Sequence, residues 1–211
     1  MAHHKLRFPA TNESLASIIA GMDVQEDDEI LAICGSGDQA FALAEYAQRV
    51  MAVDFNSAQV KYAQKRKEEL LSNDMKDFLE CDTRLVADPG YYSCRDAYFR
   101  EKGRMIKMRQ KLGSLDFQKG DFFDVLASER NFTKLYLSNI LTRTYLNTRN
   151  VRETIKALPE GVLLYLVCHE YKNLPLYEMP LKIEEKLTQR AKAFANQAAV
   201  LWEPLVCRKV K

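Results

Sequence analysis

The sequence predicts an α/β protein on a doubly wound, mostly parallel sheet, with a helical insertion between the second and third strands and a closing antiparallel hairpin. Three observations carry that expectation. Short β-rich runs alternate with helical stretches along the 211 residues, the pattern of a sheet covered by helices. Three of these runs (residues 29–34, 50–53 and 162–167) are almost continuously apolar, as strands buried on both faces are. A glycine turn joins the first run to a helix, at the kind of position where open sheets keep ligands.

The elements follow in order. A helix over 14–22 precedes the first strand, 29–34, which ends at Gly35. A second helix covers 38–48. The second strand, 50–53, ends at Asp54, and a helix over 57–71 sets Val60, Ala63, Leu70 and Leu71 among Lys and Glu. Then the rhythm breaks. About sixty residues separate Asp54 from Leu115, far more than one crossover helix needs. Residues 75–111 read as helical apart from Asp88-Pro89-Gly90. The stretch 75–112 is therefore expected to be an inserted helical subdomain of one 1–211 domain, placed to cover an acceptor site at the carboxyl ends of the strands. Strands over 115–118 and 134–137 follow. A helix over 151–158 is stopped by Pro159 and Gly161 before the fifth strand, 162–167. Residues 199–202 and 205–206 are expected to form a hairpin around Glu203-Pro204.

Composition narrows the function. At 47% hydrophobic and 28% charged, the chain is neither disordered nor collagen-like. Its net charge of +2, from 31 basic and 29 acidic residues, is too balanced for bulk electrostatic capture of nucleic acid. No apolar run reaches the roughly 18 residues of a membrane span, and the opening MAHHKLRF has no apolar stretch to act as a signal peptide. The five cysteines are scattered without a CxxC pair, which argues against disulfides and a structural metal site and for a reducing, cytoplasmic setting. Cys34 and Cys168 sit in apolar runs and read as small core residues.

The chemistry-bearing motif is 30–41, ILAICGSGDQAF. Gly35 and Gly37 permit positive φ and close backbone approach, and the following helix offers free N–H groups at its start. Asp54 comes seventeen residues after Gly37 at a strand end, where a carboxylate accepts from both hydroxyls of a ribose. A dinucleotide site would place a third glycine near position 40, but 38–40 is Asp-Gln-Ala, and the Gly-Lys-Ser/Thr of a P-loop is absent.

On these residues the chain resembles the class I S-adenosylmethionine-dependent transferases, with their Rossmann-like methyltransferase sheet. Cys34 and Ser36 stand where that family usually has glycines, and Ala32 replaces its acid. The register I-x-I-x-x-x-G-D-x-A, Thr11-Asn-Glu-Ser14, the string 52–59 (AVDFNSAQ) and Leu137-Ser-Asn-Ile140 resemble a narrower group, the 3-amino-3-carboxypropyl transferases of betaine-lipid synthesis. The resemblance implies S-adenosyl-L-methionine as cofactor. It implies a cofactor site of Cys34, Gly35, Ser36, Gly37, Asp38, Asp54, Phe55, Asn56, Gln59 and Ser138. To these it adds Lys119-Gly-Asp-Phe122, with Gly120, Asp121 and Phe122 near the adenine. It further implies a small-molecule or lipid-headgroup acceptor, with no nucleic acid partner and no metal.

For several residues a plain role stands beside the functional one. Ser138 and Asn139 touch the cofactor or acceptor, or cap a helix. His169, after the fifth strand, is a general base or a hydrogen-bonded surface histidine. Tyr91, with Tyr92, Tyr98 and Phe99, walls a substrate pocket or packs the insertion. The basic run from Arg100 to Lys111 meets an anionic acceptor or a membrane surface, or is a solvated helix face. Asn12-Glu13 closes over the cofactor or opens the first helix. At the level of the whole chain, the alternative to a transferase is a non-catalytic module that keeps the fold for binding or assembly.

Overall fold

The strands alternate two apolar faces, and each face builds its own core. In the computed structural model, which describes residues 5–80, 93–129, 131–141, 151–168, 179–197 and 203–211, β1 (Glu29–Ile33) and β2 (Arg49–Asp54) send Ile30, Ala32, Val50 and Ala52 to one side and Leu31, Met51 and Val53 to the other. The same period of two runs through β4 (Lys134–Ser138) and β5 (Leu163–Cys168). Tyr136 and Tyr165 face the first core, and Leu135, Leu137, Leu164 and Leu166 the second. With β3 (Leu115–Lys119), β6 (Leu181–Ile183) and β7 (Glu203–Lys209) they form a seven-stranded sheet in the order β3-β2-β1-β4-β5-β7-β6. The pairings among β1 to β5 are parallel, and β7 runs antiparallel to both β5 and β6. The expected doubly wound sheet is present.

Helices cover both faces. The first core packs under α1 (Leu15–Met22), α2 (Asp38–Ala44), α3 (Ser57–Leu71), α4 (Met75–Leu79), α5 (Ser93–Arg100), α6 (Arg104–Lys111) and α9 (Glu185–Gln197). The second packs under α7 (Phe122–Ser128) and α8 (Val151–Lys156). Winding therefore reverses between β1 and β4, the topological switch point where ligands of open α/β sheets bind.

The helix ends follow their caps. Asn56 opens α3 by accepting from Ala58 N at 2.9 Å, and Ser14 opens α1 by accepting from Ser17 N at 3.2 Å. The α2 helix stops at Ala44, four residues before the expected end, because 45–48 turn tightly into β2. The insertion does contain helices, α4, α5 and α6, between α3 and β3. Phe78 and Phe99 stack edge to face at 5.3 Å, and Phe78 meets Phe41 of α2 at 5.1 Å.

The sheet closes with an antiparallel pair, as expected, but other residues form it. Glu203 and Pro204 lie inside β7, not in a turn, and β7 pairs antiparallel with β5 and with β6, the strand before α9. Pro204 fits because β6 pairs only with residues 207–209, so at Pro204 the strand is an edge that needs no outward N–H. Residues 199–202 lie outside the described residues, as do Tyr91 and His169. Among the described residues no helix is long and apolar enough to cross a membrane.

Candidate functional site

A cavity of about 480 Å³ opens at the carboxyl ends of β1, β2 and β4. Gly35 and Ser36 follow β1, Asp54 ends β2 and precedes Phe55, and Ser138, Asn139 and Ile140 come from the β4 end. The other wall is the segment from Arg7 to Glu13. Asn56, Gln59 and Gln39 complete the lining.

Asp54 is fixed by the turn it serves. Its carboxylate accepts from Gly35 N at 3.2 Å and from Asn56 N at 2.9 Å. Burial pushes its carboxyl up from the usual value, against the two N–H donors and the charge of Arg7. Beside it Phe55 is 59% exposed, an aromatic face left bare at the cavity wall.

Asn56 and Gln59 latch the N-terminal segment. Gln59 Oε1 accepts from Arg7 N at 2.6 Å and Phe8 N at 3.0 Å, while its Nε2 donates to Phe8 O at 3.0 Å and Gly35 O at 2.7 Å. Asn56 Nδ2 donates to Lys5 O at 3.0 Å. One buried amide thus joins the glycine turn to the N-terminal segment.

Asp38 supports the turn from below. It is fully buried and accepts from Arg66 at 2.7 Å, Arg95 at 3.0 Å, Ser36 Oγ at 2.8 Å and Thr11 N at 2.8 Å. Burial raises its carboxyl, but the two guanidiniums, the hydroxyl and the N–H together hold it down to about 2. Arg66 also donates to Ser36 O at 2.9 Å and sits 4.5 Å over the Phe78 ring.

A second polar cluster lies at the inner wall. Ser138 has φ of 48°, rare for a residue with a side chain, and the β4–β5 register shifts between Tyr136 and Ser138. This bulge carries Ser138 Oγ to Glu13 Oε1, to which it donates at 2.7 Å. Buried Glu13 is raised by desolvation, opposed by hydrogen bonds from Ser138 and Tyr136. Gln39 Nε2 donates to Thr11 Oγ1 at 2.8 Å and Tyr136 Oη at 3.1 Å. Gln39 Oε1 is buried and has no hydrogen-bond partner among the described residues.

The expected site residues separate into two groups. Gly35, Ser36, Asp54, Phe55, Asn56, Gln59, Ser138 and Asn139 line the cavity. Cys34, Gly37, Asp38, Gly120, Asp121 and Phe122 do not. Asp121 caps α7, accepting from Phe123 N at 3.0 Å, and Phe122 is buried in the second core. Gly120 N donates to Asp54 O at 3.0 Å, which places the backbone of the third loop against the second strand. The Cys34 thiol is buried, and desolvation pushes it up, with Asp54 adding to the rise, which disfavours the reactive thiolate. No described residue of the insertion lines the cavity. Sequence reasoning missed Gln39 and the run from Arg7 to Ala10. Gln39 lies within the 30–41 motif but at one of its unspecified positions, and 7–10 lack periodicity.

No protein-family model and no curated protein matches the sequence. The fold matches solved structures. It is similar to a rRNA methylase from Streptococcus thermophilus (TM-score 0.51, 10% identity, 93% of this chain and 95% of that one). It is similar to the cyclase SpnF (TM-score 0.55, 13% identity, 99% and 87%). It is also similar to the tRNA (m1A58) methyltransferase TrmI from Aquifex aeolicus (TM-score 0.50, 14% identity, 96% and 77%). The architecture is therefore the Rossmann-like sheet found in these three structures, two of them methyltransferases and one a cyclase.

Proposed function

We propose that the chain is an S-adenosyl-L-methionine-dependent transferase that holds the cofactor in this cavity and moves a methyl or 3-amino-3-carboxypropyl group to a small-molecule or lipid-headgroup acceptor. The observation that carries the reading is the Asp54 carboxylate at the cavity wall, beside the glycine turn and at the switch point. A carboxylate has roughly four acceptor sites. Two on Asp54 are filled by backbone N–H groups, which leaves acceptors for a ribose diol. Diol hydroxyls favour the charged form and offset the burial that raises this group. The exposed face of Phe55 suits stacking on a purine, and the cavity volume falls in the range of small-molecule sites.

When bound, the cofactor's sulfonium supplies an activated electrophilic carbon. The chain's own contribution is placement and exclusion of water. The latched segment 7–13 covers one side, and Ser138 and Asn139 stand at the β4 end. An open cavity beside Asp54 supports this reading over a non-catalytic module. The narrower resemblance to aminocarboxypropyl transferases rests on the string 54–59, whose Asn56 and Gln59 serve here to hold the N-terminal segment.

Isothermal titration with S-adenosylmethionine and S-adenosylhomocysteine tests it. Micromolar binding is expected, lost in Asp54→Ala; no binding of either by the wild-type chain sinks the reading. Incubation with a metabolite extract then separates the reactions, since methyl transfer leaves S-adenosylhomocysteine and the other leaves methylthioadenosine.

An RNA acceptor is the second reading. Exposed Arg100, Lys102, Lys107 and Lys111 on the insertion favour it, as do the names of two of the fold neighbours. It requires RNA binding that weakens steeply with salt, and filter binding at two ionic strengths decides it.

A further inference from the structure

We infer that Arg95 is a positioning residue for the glycine turn, so that the helical insertion sets cofactor affinity from outside the cavity instead of covering it. The inference rests on the cavity being the cofactor site, and it gives the insertion a task there although none of its described residues lines the cavity.

Asp38 is the joint between the two. Its carboxylate is fully buried, and each oxygen serves one side. Oδ1 accepts from Arg66 at 2.7 Å and from Arg95 at 3.0 Å. Oδ2 accepts from Ser36 Oγ at 2.8 Å and from Thr11 N at 2.8 Å. These donors fill the roughly four acceptor sites of a carboxylate, so Asp38 keeps none for a ligand. Ser36 and Thr11 line the cavity, and Asp38, Arg66 and Arg95 do not. The carboxylate therefore hands position from the arginines to the cavity wall.

The turn depends on that hold. Gly37 N donates to Cys34 O at 2.7 Å within the turn. Ser36, between the two glycines, is fixed from outside it. Its hydroxyl is held by Asp38 and its carbonyl accepts from Arg66 at 2.9 Å. Both neighbours have positive φ, +50° at Gly35 and +86° at Gly37, and glycine loses more freedom on ordering than any other residue.

Arg95 brings the insertion to this joint. It lies in α5 and also donates to Phe78 O at 3.3 Å and Leu79 O at 3.0 Å, at the end of α4, and to Asp96 at 2.6 Å. Arg66 donates to the same Phe78 O at 3.1 Å. One guanidinium thus ties two insertion helices to the carboxylate under the turn. Without it Asp38 retains Arg66 alone, and the turn has to be ordered when the ligand arrives. That ordering subtracts from affinity.

Titration of S-adenosylhomocysteine into the wild type, Arg95→Met, Arg95→Lys and Met108→Ala tests the role, each variant checked for native circular dichroism. Met108 is fully buried in α6, and its truncation damages the core of the insertion while removing no hydrogen bond to Asp38. Arg95→Met is expected to weaken binding roughly fivefold to a hundredfold. Arg95→Lys, which keeps the charge and loses the fork, weakens it less, and Met108→Ala leaves it unchanged. In the ligand-free proteins the backbone amide resonances of Gly35, Ser36 and Gly37 shift in Arg95→Met and stay in place in Met108→Ala. Arg95→Lys carries both comparisons if Arg95→Met does not fold. Unchanged affinity in the Arg95 variants, unmoved turn amides, or equal weakening by Met108→Ala overturns the positioning role. If the wild type does not bind S-adenosylhomocysteine, the cofactor reading fails on its own, and the turn amides alone decide whether Arg95 positions the turn.

Discussion

Arg95 Nε donates to Asp38 Oδ1 across 3.0 Å, with both side chains fully buried. Through this bond the helical insertion grips the first turn of α2, and with it the glycine turn. Removing Arg95 strips buried Asp38 of one of its two guanidiniums and the Phe78 and Leu79 carbonyls of a donor. Arg95→Ala is therefore expected to cost about 3–5 kcal/mol in denaturant unfolding. In a double-mutant cycle with Asp38→Asn the two effects fall well short of additive. Additive losses would show that the pair is not energetically coupled.

The same carboxylate sets an acid limit. Asp38 is held down to about 2 by Arg66, Arg95, Ser36 and Thr11, against about 3.9 in an unfolded chain. A depressed acid contributes stability above its unfolded value and loses it as pH falls towards its folded value. About 2 kcal/mol should thus disappear between roughly pH 4 and pH 2, a slope that Asp38→Asn removes. Equilibrium unfolding at several pH values reads it directly.

Gln59 is the latch of the N-terminal segment, through four hydrogen bonds. Gln59→Leu keeps the volume and deletes them. Trypsin cleavage after Lys5 and Arg7, followed by mass spectrometry, should accelerate by about tenfold or more, given roughly 0.5–1.5 kcal/mol for each bond lost. Unchanged cleavage would mean that the segment is held by something else.

The two turn glycines are expected to differ. Gly37 has φ of +86°, and an added Cβ would stand 3.0 Å from Ala63 Cβ and 3.1 Å from the Phe41 ring. Gly35 has φ of +50° and nothing within 4 Å. Gly37→Ala combines left-handed strain with overpacking and should cost about 2–4 kcal/mol. Gly35→Ala carries the strain alone, about 1 kcal/mol. Thermal melts of the two variants, side by side, decide whether the packing is as tight as the distances say.

Much of the framework could be read from residue order because it rests on local signals. The 57–71 helix shows its buried stripe in the spacing of Val60, Ala63 and Leu70, and its bounds are the observed ones. Gly35 and Asp54 were visible as a turn and a strand-end acid, and they do meet at the cavity. What stayed hidden was partnership across distance. Asp38 sits in the motif, yet its carboxylate points to guanidiniums supplied 28 and 57 residues later. Asn56 and Gln59 belong to the most specific string in the sequence, but their amides face residues about fifty positions earlier. The closing antiparallel pair was expected, but its construction as β6–α9–β7 was missed for two reasons. β6 has only three residues, and α9 shows a thin apolar stripe of Leu187, Ala191 and Ala195 in a polar helix.

That last helix has a consequence for the order in which the molecule is completed. Ser17 of α1 bonds to Tyr165 at 3.0 Å and to Ala191 O of α9 at 2.7 Å. The helix that follows the cavity-covering segment is thus seated on elements made roughly 150 and 170 residues later. Contacts of such long separation close slowly and form late. During synthesis the glycine turn, Asp54 and α3 with its Gln59 latch can assemble on β1 and β2 while Glu13 still lacks Ser138 and α1 still lacks Tyr165 and Ala191. The pocket's far wall is then among the last parts to set, and a nascent chain halted before α9 should carry the turn without a closed ligand site.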